Sequence, residues 1–327
     1  MSDEATRLGE WILGPVLGAG EESSVHLSTH VDDPQRKAAI KVLGRHSREA
    51  IGRFRREAEI LAELDNPHIV KVHTLDLEDR MPYLEMEYIP GPSLKRLLLD
   101  GPPKVSDALA WATQIGDALV YLHARGVHHR DLSTSNVVLH EGRVVLVDFG
   151  LAKPTHGEQI TAVGSRFGSV ATAPPEWIGN NPVEGAVWDI YAFGVVLHEL
   201  LTGTEGFPSD PEEPDHVVAA KIMARKRELE CLDPGEGFPE PLRALVRRLT
   251  ARDPRDRPRT MADVREKLGA IRPPDTEPTR PMPPPRTLSE GYRQASLVGN
   301  VVTGMLAGGA IILLLAVLWR VLTGILR

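Results

Sequence analysis

The sequence predicts an α+β protein of two lobes, a small one rich in β-strand and a larger one mainly helical, plus one C-terminal transmembrane helix. Three observations carry this. Short β-type runs dominate before Pro90, long helical patterns dominate after it, and Gln294 to Trp319 contains no charged residue. The 327 residues suffice for one large domain or two modest ones with filled cores. Hydrophobic residues at 42% and charged residues at 25% are those of an ordinary globular chain, not a disordered one. A formal net charge of −7 argues against nucleic acid as a partner, because phosphate-backbone binding needs a basic face. The single cysteine, Cys231, rules out an intrachain disulfide and fits a reducing compartment.

The small lobe is expected over 1–89. Its β-type runs are "WILGPVLG", "SSVHLSTH", "KAAIKVL", "IVKVHTL" and "YLEMEYI", interrupted by the helical "SREAIGRFRREAEILAELD". The larger lobe, 90–272, carries the helical patterns "ALAWATQIGDALVYLHARG", "VWDIYAFGVVLHELLTG" and "PEPLRALVRRLTA". A cleft between two such lobes is a usual place for a ligand. The proline-rich stretch "RPPDTEPTRPMPPPR" opens an extended linker over 273–296, which reads as a spacer or as a ligand for a proline-reading partner.

Several side chains in the two lobes point to chemistry. Gly18 and Gly20 lie between two β-type runs, where glycine lets backbone N–H groups approach an anion, although such a pair alone more often just turns a hairpin. Lys41 interrupts an apolar run, where a lone lysine ordinarily snorkels to the surface. In the following helix Ile51, Phe54, Ala58, Leu61 and Leu64 share one face, and Glu57 falls within it while Glu59 and Glu63 point away. A carboxylate on a buried face needs a cation, and Lys41 is the natural candidate; a solvated Glu57 at the stripe's edge is the plain alternative. Further on, "HHRDLSTSN" places Asn136 five residues after Asp131, and Asp148 follows twelve residues later. Asn136 and Asp148 supply hard oxygen ligands suited to Mg²⁺ held jointly with phosphates, and Asp131 can deprotonate an attacking hydroxyl.

With these residues in this order, the chain resembles the protein kinases, specifically the bacterial Ser/Thr kinases of the eukaryotic-like (Hanks-type) superfamily. The resemblance runs from about Leu8 to Ile271, through the glycine-rich loop, "AAIK", the helix carboxylate, "HRDLSTSN", "DFG" and "PPEW". It implies the bilobal kinase fold, ATP and Mg²⁺ as cofactors, and protein Ser/Thr hydroxyls as acceptors. Residue by residue, Asp131 would be the catalytic base and Lys41 would hold the α- and β-phosphates while pairing with Glu57. Asn136 and Asp148 would bind metal. Leu17, Gly18, Gly20, Val25, Ala39 and Val138 would enclose the nucleotide, with Met86 at the back of the adenine pocket and Glu87 and Ile89 forming the hinge. Glu176 would pair with Arg257, Asp189 would begin a buried helix, and Leu61, Val72, His129 and Phe149 would stack as a column joining the lobes. Thr161 and Ser165 are the candidate phosphorylation sites, with Arg130 as the phosphate partner, and Ser169 stands where such kinases carry a hydroxyl near the catalytic Asp.

The pattern departs from the family at a few positions. Ser133 stands where Ser/Thr kinases carry a lysine, Ser23 replaces the third loop glycine beside the acidic Glu21 and Glu22, and Pro174 replaces an alanine. These keep open a second reading, a nucleotide-binding pseudokinase that serves as a membrane docking or scaffold module. A third, a kinase-like enzyme for small molecules, fits the "PPEW" segment and its Arg257 partner less well.

The uncharged run is long enough to cross a bilayer, which takes roughly 20 apolar residues, and a membrane span over 297–319 is expected, the alternative being a buried core helix. Arg293, Arg320 and Trp319 flank it as interface anchors, and only the tail 320–327 follows, with no further domain expected. This places the chain in the cell membrane as a single-pass tail anchor, its catalytic domain on the cytoplasmic side where ATP is found. Gly304 and Gly308 form a small-xxx-small pattern that would permit a homodimer through the membrane helix.

Overall fold

A computed structural model describes residues 6–20, 23–44, 48–78, 81–149, 167–179, 183–208 and 213–274. All lie within one compact unit, Met1–Arg280. Glu21, Glu22, Thr161, Ser165, Gly304, Gly308, the span 297–319 and nearly all of the proline-rich linker fall outside the described residues. Among the described residues no helix is long and apolar enough to cross a membrane.

The small lobe is a six-stranded antiparallel sheet in the order β1-β2-β3-β4-β6-β5, formed by Arg7–Leu8, Trp11–Ala19, Ser23–His30, Lys37–Leu43, Tyr83–Glu87 (β6) and Val72–Asp76 (β5). The helix α1, Arg48–Ala62, packs against it. Phe54, Ala58 and Leu61 are buried and Glu59 and Glu63 exposed, as the stripe requires. The run "IVKVHTL" divides rather than forming one strand. Only Val72 onward joins the sheet; Val70 donates instead to the Leu146 carbonyl at 3.0 Å and Ile69 bridges the same residue. Both side chains are buried, so the front of the run serves as a bolt between the lobes.

The larger lobe comprises α2 (Leu94–Leu98), α3 (Val105–His123), the hairpin of β7 (Val137–His140) and β8 (Arg143–Leu146), α4 (Phe167–Thr172), α5 (Gly185–Thr202), α6 (Asp215–Glu228), α7 (Glu240–Leu249) and α8 (Met261–Gly269). Its centre is α5, where every residue except Ala186, Val187 and Thr202 is buried. A helix apolar on all sides can only be a core helix. It begins at Gly185, ahead of the start expected at Asp189, which places Asp189 inside the helix with its backbone already satisfied. Gly194 is needed by close packing, because a Cβ there would sit 2.6 Å from the Leu249 Cβ on α7.

Candidate active site

Lys41 and Glu57 are held by the two elements that the sequence distinguishes most clearly. Lys41 projects from β4 and Glu57 from the buried face of α1, and Lys41 Nζ donates to Glu57 Oε1 at 2.8 Å. The same ammonium donates to Asp148 Oδ1 at 2.9 Å, so one lysine joins the sheet, the helix and the segment after β8. Burial by itself would lower the Lys41 pKa, but Asp148 and Glu57 more than offset it and hold the group above the ordinary lysine range. The cation is therefore permanent.

Asp131 and Asn136 sit on the loop between α3 and β7. The Asn136 side chain donates through Nδ2 to the Asp131 backbone carbonyl at 2.8 Å, which leaves the amide oxygen as the end able to face a cation. Asp148 adopts φ 55° and Arg130 φ 57°, backbone conformations that non-glycine residues rarely adopt. For Arg130 the cause is visible: the fully buried Asp189 carboxylate accepts the N–H of His129 and of Arg130, each at 2.8 Å, and His123 Nε2 lies 2.8 Å from the same carboxylate. Burial would raise the Asp189 pKa, and the His123 contact together with the loop amides outweighs it, keeping the group ionised. His129 stacks on Phe149 at 4.4 Å between ring centroids, while Leu61 and Phe149 share one buried cluster on which Val72 packs. Of the four residues expected to form a column, His129 and Phe149 are thus in contact, and Leu61 and Val72 belong to or pack on the cluster that includes Phe149.

The residues expected around a nucleotide converge as well. Ala39, Met86 and Ile89 belong to one buried apolar cluster, with Val25 and Val138 packed against it. Glu87 is fixed in β6 by its N–H to the Lys71 carbonyl at 2.8 Å. Leu17 is 50% exposed near the end of β2, and Gly20 donates to the Ser23 carbonyl at 2.7 Å. A Cβ on Gly18 would meet no protein atom within 4 Å. Among the described residues no neighbour crowds that glycine, which leaves room for a bound group to approach its backbone. An apolar slot beside a buried cation suits a purine carrying phosphates. Among the described residues no cluster of three or more His, Cys, Asp or Glu converges on a metal site, so a cation at Asn136 and Asp148 would complete its shell with phosphate oxygens and water.

The family profile for the protein kinase domain matches residues 11–267. The chain belongs to the protein kinase family. Among curated relatives, the chain is 33% identical over 261 residues to the serine/threonine-protein kinase PrkC of Bacillus subtilis, covering 78% of this chain and 39% of that protein. It is 32% identical over 260 residues to PknH of Mycobacterium tuberculosis, covering 78% and 41% respectively. It therefore spans about two fifths of the length of these relatives. A crystal structure of Rad53 1–466 in complex with AMP-PNP aligns with TM-score 0.61 at 22% identity, over 80% of this chain and 66% of that one, and shares the fold.

Two features of the kinase site have no counterpart in the sequence reading. The first is the anchoring role of Asp189, since bonds to backbone N–H groups leave no mark in side-chain spacing. The second is Glu199, buried on α5 behind the loop, which accepts from Thr134 Oγ1 at 2.9 Å and from the Gly206 N–H. Burial pushes Glu199 up to about 7, with nearby Glu205 adding to the rise and the Thr134 and Gly206 bonds limiting it. A carboxyl whose folded pKa lies above its unfolded value of 4.5 contributes stability below that pH and loses it as pH climbs towards 7. Glu199→Gln, which keeps one oxygen to accept from the Gly206 N–H and can donate its amide to the Thr134 hydroxyl, is expected to match the native melting temperature near pH 4.5 and exceed it at pH 8. The gain reaches about 3 kcal/mol. Thermal melts across that range check it; a variant less stable at pH 8 would contradict the assignment.

Proposed function

We propose that this kinase transfers the terminal phosphoryl group of ATP to Ser or Thr hydroxyls of proteins. The observation that carries the proposal is the joining of Glu57, Lys41 and Asp148 in one ion-pair network beside a loop in which Asn136 is bonded to Asp131. In this reading Lys41 binds the phosphates as a fixed cation, and Glu57 and Asp148 keep it aimed. Asp131, 3% exposed, takes the proton of the acceptor hydroxyl. A divalent cation, Mg²⁺ in this proposal, would be held by Asn136 and Asp148 and supplies positive charge against the phosphate oxygens. The Ser/Thr preference rests on the curated relatives, each described as a serine/threonine-protein kinase.

Ser133 favours one rival, a nucleotide-binding docking module without transfer. The family's lysine at this position would add a cation where the phosphoryl group moves, and its absence could cost on the order of 10²-fold in rate. The test is incubation of the full chain with labelled ATP and Mg²⁺, with Asp148→Asn as control. Protein labelling that the control lacks supports the kinase; ATP binding without labelling supports the docking module. Ser133→Lys is expected to raise the labelling rate, towards about 10²-fold. A rate that is unchanged or lower would mean that existing groups already supply the charge.

The uncharged run from Gln294 to Trp319 supports a single-pass membrane anchor with the catalytic domain in the cytoplasm, which resistance to carbonate extraction would test. Arg130 beside the catalytic loop supports trans-autophosphorylation at Thr161 or Ser165, and phosphopeptide mapping that finds both hydroxyls bare in active protein would remove it. Gly304 and Gly308 support a homodimer through the membrane helix; crosslinking in bilayers, unchanged by Gly304→Leu, would remove that.

A further inference from the structure

Lys226 lies in the last turn of α6 and is 1% exposed. Its Nζ donates to the Ala171 carbonyl at 2.8 Å and also to the Ala173 carbonyl. The Nζ atom sits 4.4 Å from the Phe207 ring centroid and 4.9 Å from that of Tyr191. Backbone carbonyls and aromatic faces are its partners; no carboxylate among the described residues forms an ion pair with it. Burial, followed by the nearby Arg257, drives its pKa well below the lysine range. A polar amine buried at that cost needs a reason beyond packing.

The carbonyls it grips identify the reason. Ala171 and Ala173 straddle Thr172, directly ahead of Pro174, Pro175 and Glu176. Ala171 and Thr172 line a small cavity together with Ser133, Thr134 and Ser135, which lie between Asp131 and Asn136 in the chain. The backbone at 171 and 172 therefore borders the loop that carries Asp131, where its position bears on how an acceptor chain could approach that carboxylate. Glu176 is pinned to Arg257, but among the described residues the carbonyls of 171 and 173 are held from below by Lys226.

We infer that Lys226 is a positioning residue for the acceptor polypeptide: it fixes the backbone at Ala171 and Ala173 against the catalytic loop and so sets the affinity for protein substrate. This rests on the protein-kinase reading above. It assigns to α6 a role in substrate affinity without contact to ATP, metal or the reacting hydroxyl.

The test compares the full native chain with Lys226→Met, using the full-length Asp131→Asn chain as protein acceptor and hydrogen exchange of the free enzymes as a second measurement. Lys226→Met fills the volume and removes both donated bonds. The acceptor KM is expected to rise about tenfold, with kcat and the KM for ATP within about threefold, and with a modestly lower melting temperature because two carbonyls lose this donor. Exchange is expected to quicken in peptides covering 167–176 and to stay constant around Lys41 and Glu57. An unchanged acceptor KM, or parallel changes in both KM values, would overturn the inference. Unchanged exchange at 167–176 would overturn it even if the native chain proved unable to label any protein, an outcome that would separately remove the kinase reading.

Discussion

Asp131→Asn is expected to lower phosphoryl transfer by about 10²- to 10⁴-fold while ATP binding stays intact. The replacement is nearly isosteric, and two contacts that shape the loop use the Asp131 backbone. Asn136 donates to the Asp131 backbone carbonyl at 2.8 Å, and the Asp131 N–H donates to His129 Nδ1 at 3.3 Å. The variant therefore keeps its fold and loses the group able to accept a proton. Single-turnover transfer to a protein acceptor measures the first effect, and calorimetric titration with ATP the second. Transfer that survives would remove Asp131 as base. Binding lost together with transfer would make its role structural. Lys41 supplies the contrast, because it touches Glu57 and Asp148 but not the acceptor, so its replacement is expected to act on nucleotide affinity first.

The second large effect concerns stability. Arg257, with 1% of its side chain exposed, forms a two-pronged pair with Glu176, Nη1 to Oε1 at 2.6 Å and Nη2 to Oε2 at 2.8 Å. Its remaining donors reach the carbonyls of Ala251 at 2.8 Å and Arg252 at 3.2 Å, and its plane lies over Tyr191 at 4.8 Å. Glu176→Ala would leave that guanidinium buried without its counter-charge, a change expected to cost about 3–5 kcal/mol. For a domain of this size the melting temperature should fall by roughly 10 °C. The informative comparison is the double variant Glu176→Leu with Arg257→Met, which removes both charges and should be more stable than the sum of the single changes implies. Strict additivity would mean that the two residues stabilise the lobe separately.

How much of this was legible in advance depended on whether a residue broke a pattern. Lys41 stood out as a charge within an apolar run and Glu57 as a carboxylate on an apolar stripe, and the two meet at 2.8 Å. The strands of the small lobe and the long helices α3, α5 and α7 were readable because their periodicity extends over many residues. The helices α2 and α4, of five and six residues, are too short to show a period. In α6 only Val218, Ile222 and Lys226 are buried, so a lysine occupying a core position hides the stripe. The run "IVKVHTL" reads as one strand, but its front half answers to Leu146 in the other lobe, a partner that lies far along the chain. For the same reason Asp189 was legible as buried but not as the anchor of His129 and Arg130.

That anchor limits how far the catalytic loop can be moved. Grafting residues 126–136 onto another scaffold would carry over Asp131 and Asn136 yet leave behind the carboxylate, rooted in α5, that holds Arg130 at φ 57°. The borrowed loop would then relax to an ordinary backbone, and Asp131 would face a different direction. The reactive unit is thus larger than its motif: an engineer who wants its chemistry must transplant the central helix as well.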